Sequence, residues 1–326
     1  MNCPVCLNTA TTATSFRGSD ILFEATAKTF RLAECLLCRC LFLDPLPAEG
    51  EIARFYPEDY WWSNSGGALK KLEGVYRRFA LRDHVKFISR AARAESSNGA
   101  SPILAPLLLD VGCSSATLLG LMKRRGFRVQ GFDFSAEAAR IAMSENGVDV
   151  RVAPHLQDAH FEKESFDLVT LFHVMEHITD PRSVLAEVRR VLKPSGRLVV
   201  QVPNIESWQF ELFGARWYGI DVPRHVINYS NRAMQRLLAE SGFEVKRTRH
   251  FNLRDNAPAL ASSFFPSLDP VGRGVRQRQR GQTESAALSW LRHGIYFGLV
   301  VAVQPFALAE SLAGKGATIM IEASRT

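Results

Sequence analysis

The chain has 326 residues, of which 46% are hydrophobic and 22% are charged, and these values exclude a long disordered or fibrous chain. Its formal net charge of +7 favours an anionic partner, such as nucleic acid, a phosphorylated sugar or an acidic membrane surface. A cysteine pair follows Met1 and Asn2 with no secretory leader before it, so we expect a cytoplasmic protein whose thiols stay reduced.

Residues 1–46 hold five of the six cysteines, and four of these form two C-x-x-C pairs. The paired cysteines are Cys3, Cys6, Cys35 and Cys38. Tetrahedral zinc takes four such ligands, and four thiolates leave no coordination position open for water. We therefore predict a small zinc-ribbon module with a structural zinc ion. Cys40 is a spare thiol, and buried free cysteines or a redox pair are the alternatives to zinc.

Residues 47–100 have an amphipathic, helical pattern and are predicted to form a connector. Its aromatic residues are Phe55, Tyr56, Tyr60, Trp61 and Trp62. The connector ends in a polar linker at residues 95–99.

Residues 101–251 alternate short apolar runs with helical patterns, which predicts βαβ units and a doubly wound α/β sheet. The predicted strands are 107–111, 128–132, 148–152, 166–172, 197–202 and 243–249. The predicted helices are 116–125, 135–145, one following Pro181, and 231–241. In such a sheet, ligands bind at the carboxyl ends of the strands.

Three of these strands end in residues suited to a nucleoside ligand. The first runs through Asp110 into Gly112 and a turn of small residues, where a ligand can approach the backbone and the free N–H groups of a helix start. The second ends in Asp133, which can accept hydrogen bonds from ribose hydroxyls. The fourth ends in Phe172-His173. The pyrophosphate pattern G-x-G-x-x-G of dehydrogenases is absent, since only Gly112 fits it.

The order and spacing of these segments resemble the successive motifs of class I S-adenosylmethionine-dependent methyltransferases. The matching segments are LDVGC at 109–113, GFD at 131–133, FDLV at 166–169, EHI at 176–178 and LKPSGR at 192–197. The resemblance implies a Rossmann-like, seven-stranded sheet whose last strand, within residues 317–326, is antiparallel. It also implies S-adenosylmethionine as the cofactor.

By the same resemblance, the cofactor contacts can be assigned to numbered residues. Asp110, Gly112 and Ser114 lie beside the methionine part, and Asp133 holds the ribose. The adenine is bordered by Phe134, His155 and Leu156, and the sulfonium by Phe172 and His173. The chain departs from the family where Ser114 and Ala116 replace the usual glycines, and where His155 replaces a frequent acid.

The N-terminal cysteines extend the resemblance to one branch of this family, which places a zinc ribbon before the methyltransferase domain. The segments that carry it are CPVC at 3–6, CLLC at 35–38, LFLDP at 41–45 and FYPEDY at 55–60. This branch includes deoxysugar C-methyltransferases and proteins of bacterial surface-polysaccharide pathways, although those sugar enzymes carry a further carboxyl-terminal domain. The resemblance implies methylation of a nucleotide-linked or lipid-linked sugar or glycan.

Two other functions stay open. An RNA methyltransferase would suit the basic charge, but residues 1–46 carry as many acidic as basic side chains, and Phe172-His173-Val174-Met175 stands where a base-methylating tetrapeptide is expected. We therefore do not expect a nucleic-acid partner. The second alternative is an interaction protein built on an inactive methyltransferase fold.

Methylation of a hydroxyl or carbon requires a base, and histidine is the usual choice near neutral pH. His225 follows the fifth strand in a segment that resembles the one carrying the active-site histidine of the sugar enzymes. We predict that His225 is the base, that Tyr229 or Tyr218 assists it, and that Arg224 grips a phosphate or carboxylate of the substrate.

A second polar cluster, His173, Glu176 and His177, follows the fourth strand. Two histidines and one acid are able to ligate a divalent cation. The favoured interpretation is that Glu176 and His177 shape the turn before the next helix, and that His173 takes part in catalysis.

Residues 252–316 form an insert before the last strand. The insert contains four arginines between residues 273 and 280, followed by an apolar stretch at 288–313. Arg292 and Glu310 interrupt this stretch, which argues against a membrane span. We predict one or two helices that pack on the catalytic domain, join two copies, or touch an anionic membrane at its inner face.

Overall fold

The computed structural model describes residues 2–11, 16–48, 50–56, 67–96 and 105–326. The predicted aromatic residues Tyr60, Trp61 and Trp62 and positions 97–99 of the linker lie outside these ranges. The chain divides into two compact units, which cut across the predicted domain boundaries. The first comprises 1–77, 203–233 and 250–319, and the second comprises 78–202, 234–249 and 320–326.

The elements are numbered here in chain order. The strands are β1 Phe16–Ser19, β2 Thr29–Glu34, β3 Leu41–Asp44, β4 Leu107–Val111, β5 Arg128–Asp133, β6 Val150–Val152, β7 Phe166–Phe172, β8 Leu192–Pro203, β9 Ile227–Asn228, β10 Phe243–Arg249 and β11 Thr318–Arg325. The helices are α1 Gly67–Ala80, α2 Arg82–Ser96, α3 Thr117–Lys123, α4 Ala136–Asn146, α5 Pro181–Val191, α6 Trp208–Phe213, α7 Asn231–Glu240, α8 Asn256–Phe264, α9 Pro270–Gln279, α10 Ala286–Ala302 and α11 Gln304–Leu312.

The larger sheet has seven strands in the order β6-β5-β4-β7-β8-β11-β10. The pairs from β6 to β8 are parallel, and β11 runs antiparallel to β10. All seven residues of β7 are buried, because a parallel strand in the middle of such a sheet is covered on both faces. The predicted Rossmann-like fold with an antiparallel seventh strand is thus confirmed.

Local sequence signals explain where the helices beside this sheet begin and end. Ser135 caps α4 by accepting a hydrogen bond from the Ala138 N–H, and Gly147 ends the helix in a left-handed conformation. Asp180 caps α5 in the same way, with Pro181 in its first turn. These caps place both helix starts directly after the loops that follow β5 and β7.

The smaller sheet has four strands in the order β1-β2-β3-β9. Its first three strands come from the predicted N-terminal module, but β9 comes from the segment after residue 203. Leu41 and Phe42 of β3 pair antiparallel with Asn228 and Ile227. The module therefore does not end at residue 46, because its sheet is completed by residues far along the chain.

The insert forms four helices, α8 to α11, where one or two were predicted. Its apolar stretch is broken at Val303, between α10 and α11. By length and composition alone, residues Ala286–Leu312 could cross a membrane, since their most apolar window has a mean hydropathy of 1.6, and 22% of that window is buried within the protein.

Candidate active site

The loop after β4 makes a close turn that only glycine permits at its first position. Gly112 has a φ of +71°, and a Cβ added there would lie 2.5 Å from Cγ2 of Val174. The N–H groups of Gly112 and Cys113 both donate to the Phe132 carbonyl, at 2.8 and 3.1 Å. This bifurcated contact ties the turn after β4 to the end of β5.

Ser114 and Ala116 also have left-handed backbones, with φ of +49° and +53°. These are the positions where the resembling family usually has glycine. The glycine-type backbone is therefore kept without glycine, at a steric cost that L side chains carry in this region. Ser114 uses the conformation, because its N–H donates to Oδ2 of Asp133 at 2.9 Å.

Asp133 is held from two sides at the end of β5. Its Oδ1 accepts from the Ser135 N–H at 3.0 Å, while Oδ2 accepts from Ser114. The residue is only 1% exposed, and this burial raises the pKa of its carboxyl group although the backbone N–H groups oppose the shift. Each oxygen keeps a second lone pair, so the carboxylate can also accept from a diol.

Asp110 is buried at the end of β4, one strand away from Asp133. The Thr170 hydroxyl, on neighbouring β7, donates to Oδ1 of Asp110 at 2.6 Å. This bond orients the Asp110 carboxylate at the edge of the sheet where the loop begins.

The three residues predicted beside the adenine differ in exposure. Phe134 is 53% exposed, which is unusual for a phenylalanine. His155 is also exposed, at the start of a short 3-10 helix, whereas Leu156 within that helix is buried. Only Phe134 and His155 present side chains to solvent.

His173 follows β7 with a φ of +56°, a strained conformation for a non-glycine residue. Its Nε2 lies 2.7 Å from the amide nitrogen of Gln201, and its Nδ1 lies 3.1 Å from Oε1 of Glu176. Since the amide nitrogen can only donate, Nε2 accepts and Nδ1 carries the proton donated to Glu176. Both ring nitrogens are thus engaged, which suits an orienting residue better than a base.

Phe172, the residue before His173, closes the end of β7. Its ring packs edge-on against His84 of α2, with ring centroids 5.0 Å apart. Phe172 is 9% exposed, so little of its surface is accessible to a ligand.

The residues predicted for the acceptor, His225 and Tyr229, belong to the other compact unit. The Nδ1–H of His225 donates to the Gly219 carbonyl at 2.8 Å, which makes Nε2 the proton-accepting nitrogen of the neutral ring. Tyr229 is fully buried, and its carbonyl accepts from the Ile205 N–H. Tyr218 is tied to the insert through its N–H, which donates to the Ser263 hydroxyl.

The prediction that Arg224 grips a substrate anion is wrong. Arg224 is fully buried, and its five N–H groups are taken by Asp20, Asp221 and the Phe55 carbonyl. These two carboxylates raise the pKa of the guanidinium against the effect of burial. The spacing of the sequence could not reveal this role, because Asp20 lies about two hundred residues earlier in the chain.

Arg224 is one of several contacts by which the N-terminal strands hold the segment carrying His225. The Leu43 N–H donates to the Val226 carbonyl at 3.0 Å, and the Ser230 hydroxyl donates to the Cys38 carbonyl at 2.8 Å. Together with the β3–β9 pairing, these bonds fix the backbone on both sides of His225. No local sequence pattern indicated this connection, because the bonded residues lie far apart in the chain.

The four paired cysteines come together at one end of the smaller sheet. The Sγ atoms of Cys3, Cys6, Cys35 and Cys38 all lie within 4.8 Å of one another. Cys3 and Cys38 are 3.6 Å apart, and Cys6 and Cys35 are 3.5 Å apart. Sulfurs at the corners of a zinc tetrahedron with bonds of about 2.3 Å are separated by roughly 3.8 Å, so the donor set fits zinc.

Cys40 adds a fifth sulfur to this cluster. Its Sγ lies 3.4 Å from both Cys3 and Cys38, and the residue is fully buried. Hydrogen bonds with the Cys3 sulfur raise the pKa of the Cys38 and Cys40 thiols, because each thiol gives up that bond when it loses its proton, and burial raises both pKa values further. A bound cation would offset the repulsion between thiolates held this close together.

The strand order, the glycine turn and the acid after β5 together define the cofactor-binding fold of class I methyltransferases. A family model described as "Methyltransferase domain" matches residues 76–248, just over half of the chain. The chain belongs to this family, whose cofactor is S-adenosylmethionine, and it is an S-adenosylmethionine-dependent methyltransferase.

Curated relatives carry the same kind of activity in their names. The ubiquinone biosynthesis O-methyltransferase of Pectobacterium atrosepticum is 32% identical over 182 residues, which covers 53% of this chain and 70% of the relative. The protein of the same name from Hahella chejuensis is 38% identical over 124 residues, covering 36% of this chain and 52% of the relative. The relatives are thus named for ubiquinone and not for the polysaccharide pathways that the N-terminal resemblance implies.

Solved structures share the fold at low identity. An S-adenosylmethionine-dependent methyltransferase from Archaeoglobus fulgidus is 15% identical with a TM-score of 0.47, covering 79% of this chain and 100% of that one. A geranyl diphosphate methyltransferase is 19% identical with a TM-score of 0.46, covering 75% and 78%. At these values the likeness concerns the fold, which the strand order defines by itself.

Proposed function

We propose that this methyltransferase transfers the methyl group to a hydroxyl oxygen of a sugar or glycan intermediate of cell-envelope polysaccharide synthesis. The observation that carries the methyltransferase activity in this proposal is the Asp133 carboxylate of the cofactor site, fixed by two backbone N–H groups beside the glycine turn. A buried acid in this place accepts hydrogen bonds from the two hydroxyls of a ribose.

The remaining cofactor contacts follow from the same edge of the sheet. Asp110 and the loop from Gly112 to Ser114 bind the methionine part, where the absence of a Cβ allows the close approach. Phe134, His155 and Leu156 surround the adenine, with the exposed Phe134 ring stacking on it. Phe172 and His173 border the sulfonium, and His173 is held in place by Glu176 and Gln201.

S-adenosylmethionine supplies a methyl group activated on a positively charged sulfur. With the methyl group supplied in this form, Nε2 of His225 would take the proton that the acceptor hydroxyl gives up when it is methylated. The bond from His225 Nδ1–H to Gly219 supports this role, because it holds the tautomer with the lone pair on Nε2. Tyr229 orients the segment that carries the base.

A sugar acceptor is favoured by the parts of the chain that lie outside the family match. The N-terminal strands hold the His225 segment, and their cysteine motifs resemble the branch that acts on sugars. A hydroxylated quinone precursor is the second candidate, because the relatives are named ubiquinone biosynthesis O-methyltransferases.

The N-terminal cluster would hold a structural zinc ion through Cys3, Cys6, Cys35 and Cys38. The support is the spacing of the four sulfurs, which fits a tetrahedral ion. Four thiolate ligands give the ion no open position, so its effect on catalysis would act through the strands that reach His225.

The test is transfer of labelled methyl from S-adenosylmethionine into fractionated bacterial extract. Label in the nucleotide-sugar or lipid-linked glycan fraction, lost in His225→Ala and kept in His160→Asn, is the expected result. His160 is a matched control because it is exposed and left-handed, a conformation that asparagine tolerates.

Other distributions of the label would change the proposal. Label in the quinone fraction would select the second candidate, and label in RNA would contradict both. Binding of the cofactor without transfer to any fraction of a competent extract would indicate an inactive fold.

A further inference from the structure

Helices α10 and α11 turn their polar side chains toward the protein. His293 lies 3.0 Å from the Arg273 guanidinium, and the Tyr296 hydroxyl lies 3.1 Å from that of Ser262. Glu310 accepts from the Gln209 amide at 2.6 Å and is fully buried. The polar groups that interrupt this apolar stretch are therefore used within the protein.

The outward face of the same two helices is apolar. Its large exposed side chains are Leu288, Trp290, Leu291, Ile295, Val301, Phe306, Leu308 and Leu312, and we call this set the insert face. Leu291 is 60% exposed, Val301 70% and Leu312 90%. A helix on the surface of a globular protein normally has the opposite pattern, with charges outward.

Every residue of 286–312 is described, and within it only Arg292 combines a charge with an exposed side chain. The insert face is thus an apolar strip along two consecutive helices. Such a strip is stabilised by a non-aqueous surface and not by water.

Basic residues outnumber acidic residues in the insert. The insert, residues 252–316, contains seven basic and four acidic residues. All four carboxylates are largely buried: the side chains of Asp255 and Glu284 are 17% and 8% exposed, and Asp269 and Glu310 are 2% and 0% exposed. The exposed cations of the insert are Arg254, Arg280, Arg292 and Lys315, with side chains between 38% and 55% exposed. Arg280 and Lys315 pair with exposed acids outside the insert, Glu24 and Glu211, so the basic excess is that of the insert itself.

We propose that the insert face lies on the surface of an anionic phospholipid bilayer, with its leucines in the acyl boundary and its rim of cations against the headgroup phosphates. Apolar residues flanked by arginine and lysine are the composition of helices that lie in a membrane interface. Trp290, 47% exposed, suits the level of the headgroups.

Two other occupants fit less well. A second copy of this face would bring its own rim of cations against the first, and like charges across an interface are unfavourable. A transmembrane span would carry the paired groups of His293 and Glu310 away from their partners and into lipid, at a cost of several kcal/mol in order of magnitude.

The experiment is flotation of the full chain with vesicles of phosphatidylcholine and about 30% phosphatidylglycerol. We expect co-flotation that weakens with salt and with loss of the anionic lipid, since part of the attraction is electrostatic. Leu291→Glu should lower the bound fraction at least tenfold. Met143→Glu is the matched control, because Met143 is an equally exposed apolar residue of a helix outside the insert.

Chromatography at the same protein concentration completes the test. A monomer that does not float would overturn the proposal, as would flotation that Leu291→Glu leaves unchanged. A dimer that Leu291→Glu dissociates would overturn it in favour of a second copy. Circular dichroism of both variants checks that they are folded.

Discussion

In the proposed ribose contact, hydroxyls donate to the ionised carboxylate of Asp133, so the pKa of this group, which burial raises, should govern how pH affects cofactor binding. Affinity for S-adenosylhomocysteine should be full well above that pKa and should fall as the pH is lowered through it. Asp133→Asn should weaken binding about tenfold or more at pH 7.5, since hydrogen bonds to a charged group contribute ~1.5–3 kcal/mol. Titration calorimetry between pH 5 and 8 measures both effects. A variant that keeps the pH dependence would exclude Asp133 as its source.

Two substitutions in the loop from Gly112 to Ala116 should change the stability of the fold in opposite directions. Ser114→Gly should stabilise the fold by about 0.5–1 kcal/mol, because it relieves a left-handed side chain. Gly112→Ala should destabilise it by about 2 kcal/mol or more, because the new methyl group meets Val174 in a conformation that alanine rarely adopts. Urea unfolding of the two variants checks the signs, and the same sign for both would contradict this account.

At the scale of elements, Glu310 of α11 gives the fold a pH-dependent weakness. Burial raises the pKa of Glu310 from its ordinary 4.5 to about 7. The folded state thus holds the proton more tightly than the unfolded state, so this stability is complete below pH 4.5 and is lost as the pH rises through about 7. The loss is on the order of 3 kcal/mol. Glu310→Gln should be more stable than the parent at pH 8, and its stability should lack this decrease with rising pH. The free energy of unfolding of the parent and of the variant is measured at pH 5 and at pH 8. An equal loss of stability in both proteins between these pH values would assign the effect to another group.

Arg224 is the central contact between β1–β3 and the His225 segment. Replacing it with alanine leaves Asp20 and Asp221 buried without their cation, which should cost about 3–5 kcal/mol. Because the contact positions His225, Arg224→Lys should retain cofactor affinity and lose transfer rate. Calorimetry with S-adenosylhomocysteine and methyl-transfer rates separate the two, and equal losses in both would mean a general structural role.

The elements show which parts of the fold a single sequence can predict. Strands β4, β7 and β10 begin and end where their apolar or alternating runs do. Strand β8 begins at Leu192, earlier than the predicted residue 197, because a Lys-Pro-Ser-Gly stretch has no strand pattern. The two residues of β9 carry no signal of their own, since their pairing depends on a distant strand. The role of Arg224 was wrongly predicted for the same reason, because the sequence does not show which distant acid a buried arginine pairs with.

At the scale of the whole molecule, zinc is expected to be a condition for folding of the smaller sheet. Elemental analysis should find one zinc per chain, and Cys35→Ser should lower both the zinc content and the melting temperature. Cys113→Ser is the control, because Cys113 is also buried but lies beside Gly131 in the larger sheet. A strong chelator should destabilise the protein in the same way. Full stability without bound metal would show that the sulfurs pack as free thiols.

The strands of the cofactor site could be predicted from the sequence because the motifs at their ends follow one another within about thirty positions. The acceptor side was not, since His225 depends on Asp20, Leu43 and Cys38, and the insert interrupts the pattern before β11. The inverted polarity of α10 and α11 was visible only as an apolar stretch. Only the structure shows that the polar side chains of these helices face the protein and the apolar ones face outward.

The pairing of β3 with β9 also has a consequence for synthesis of the protein. A ribosome makes Cys3 to Asp44 first, but the fourth strand of their sheet follows only after residue 226. During most of translation, the cysteine-bearing strands therefore have an unpaired edge and a buried aspartate without its arginine. Early capture of zinc would protect this segment from oxidation and from pairing with other nascent chains, so the metal supply during synthesis should also affect the yield of folded protein.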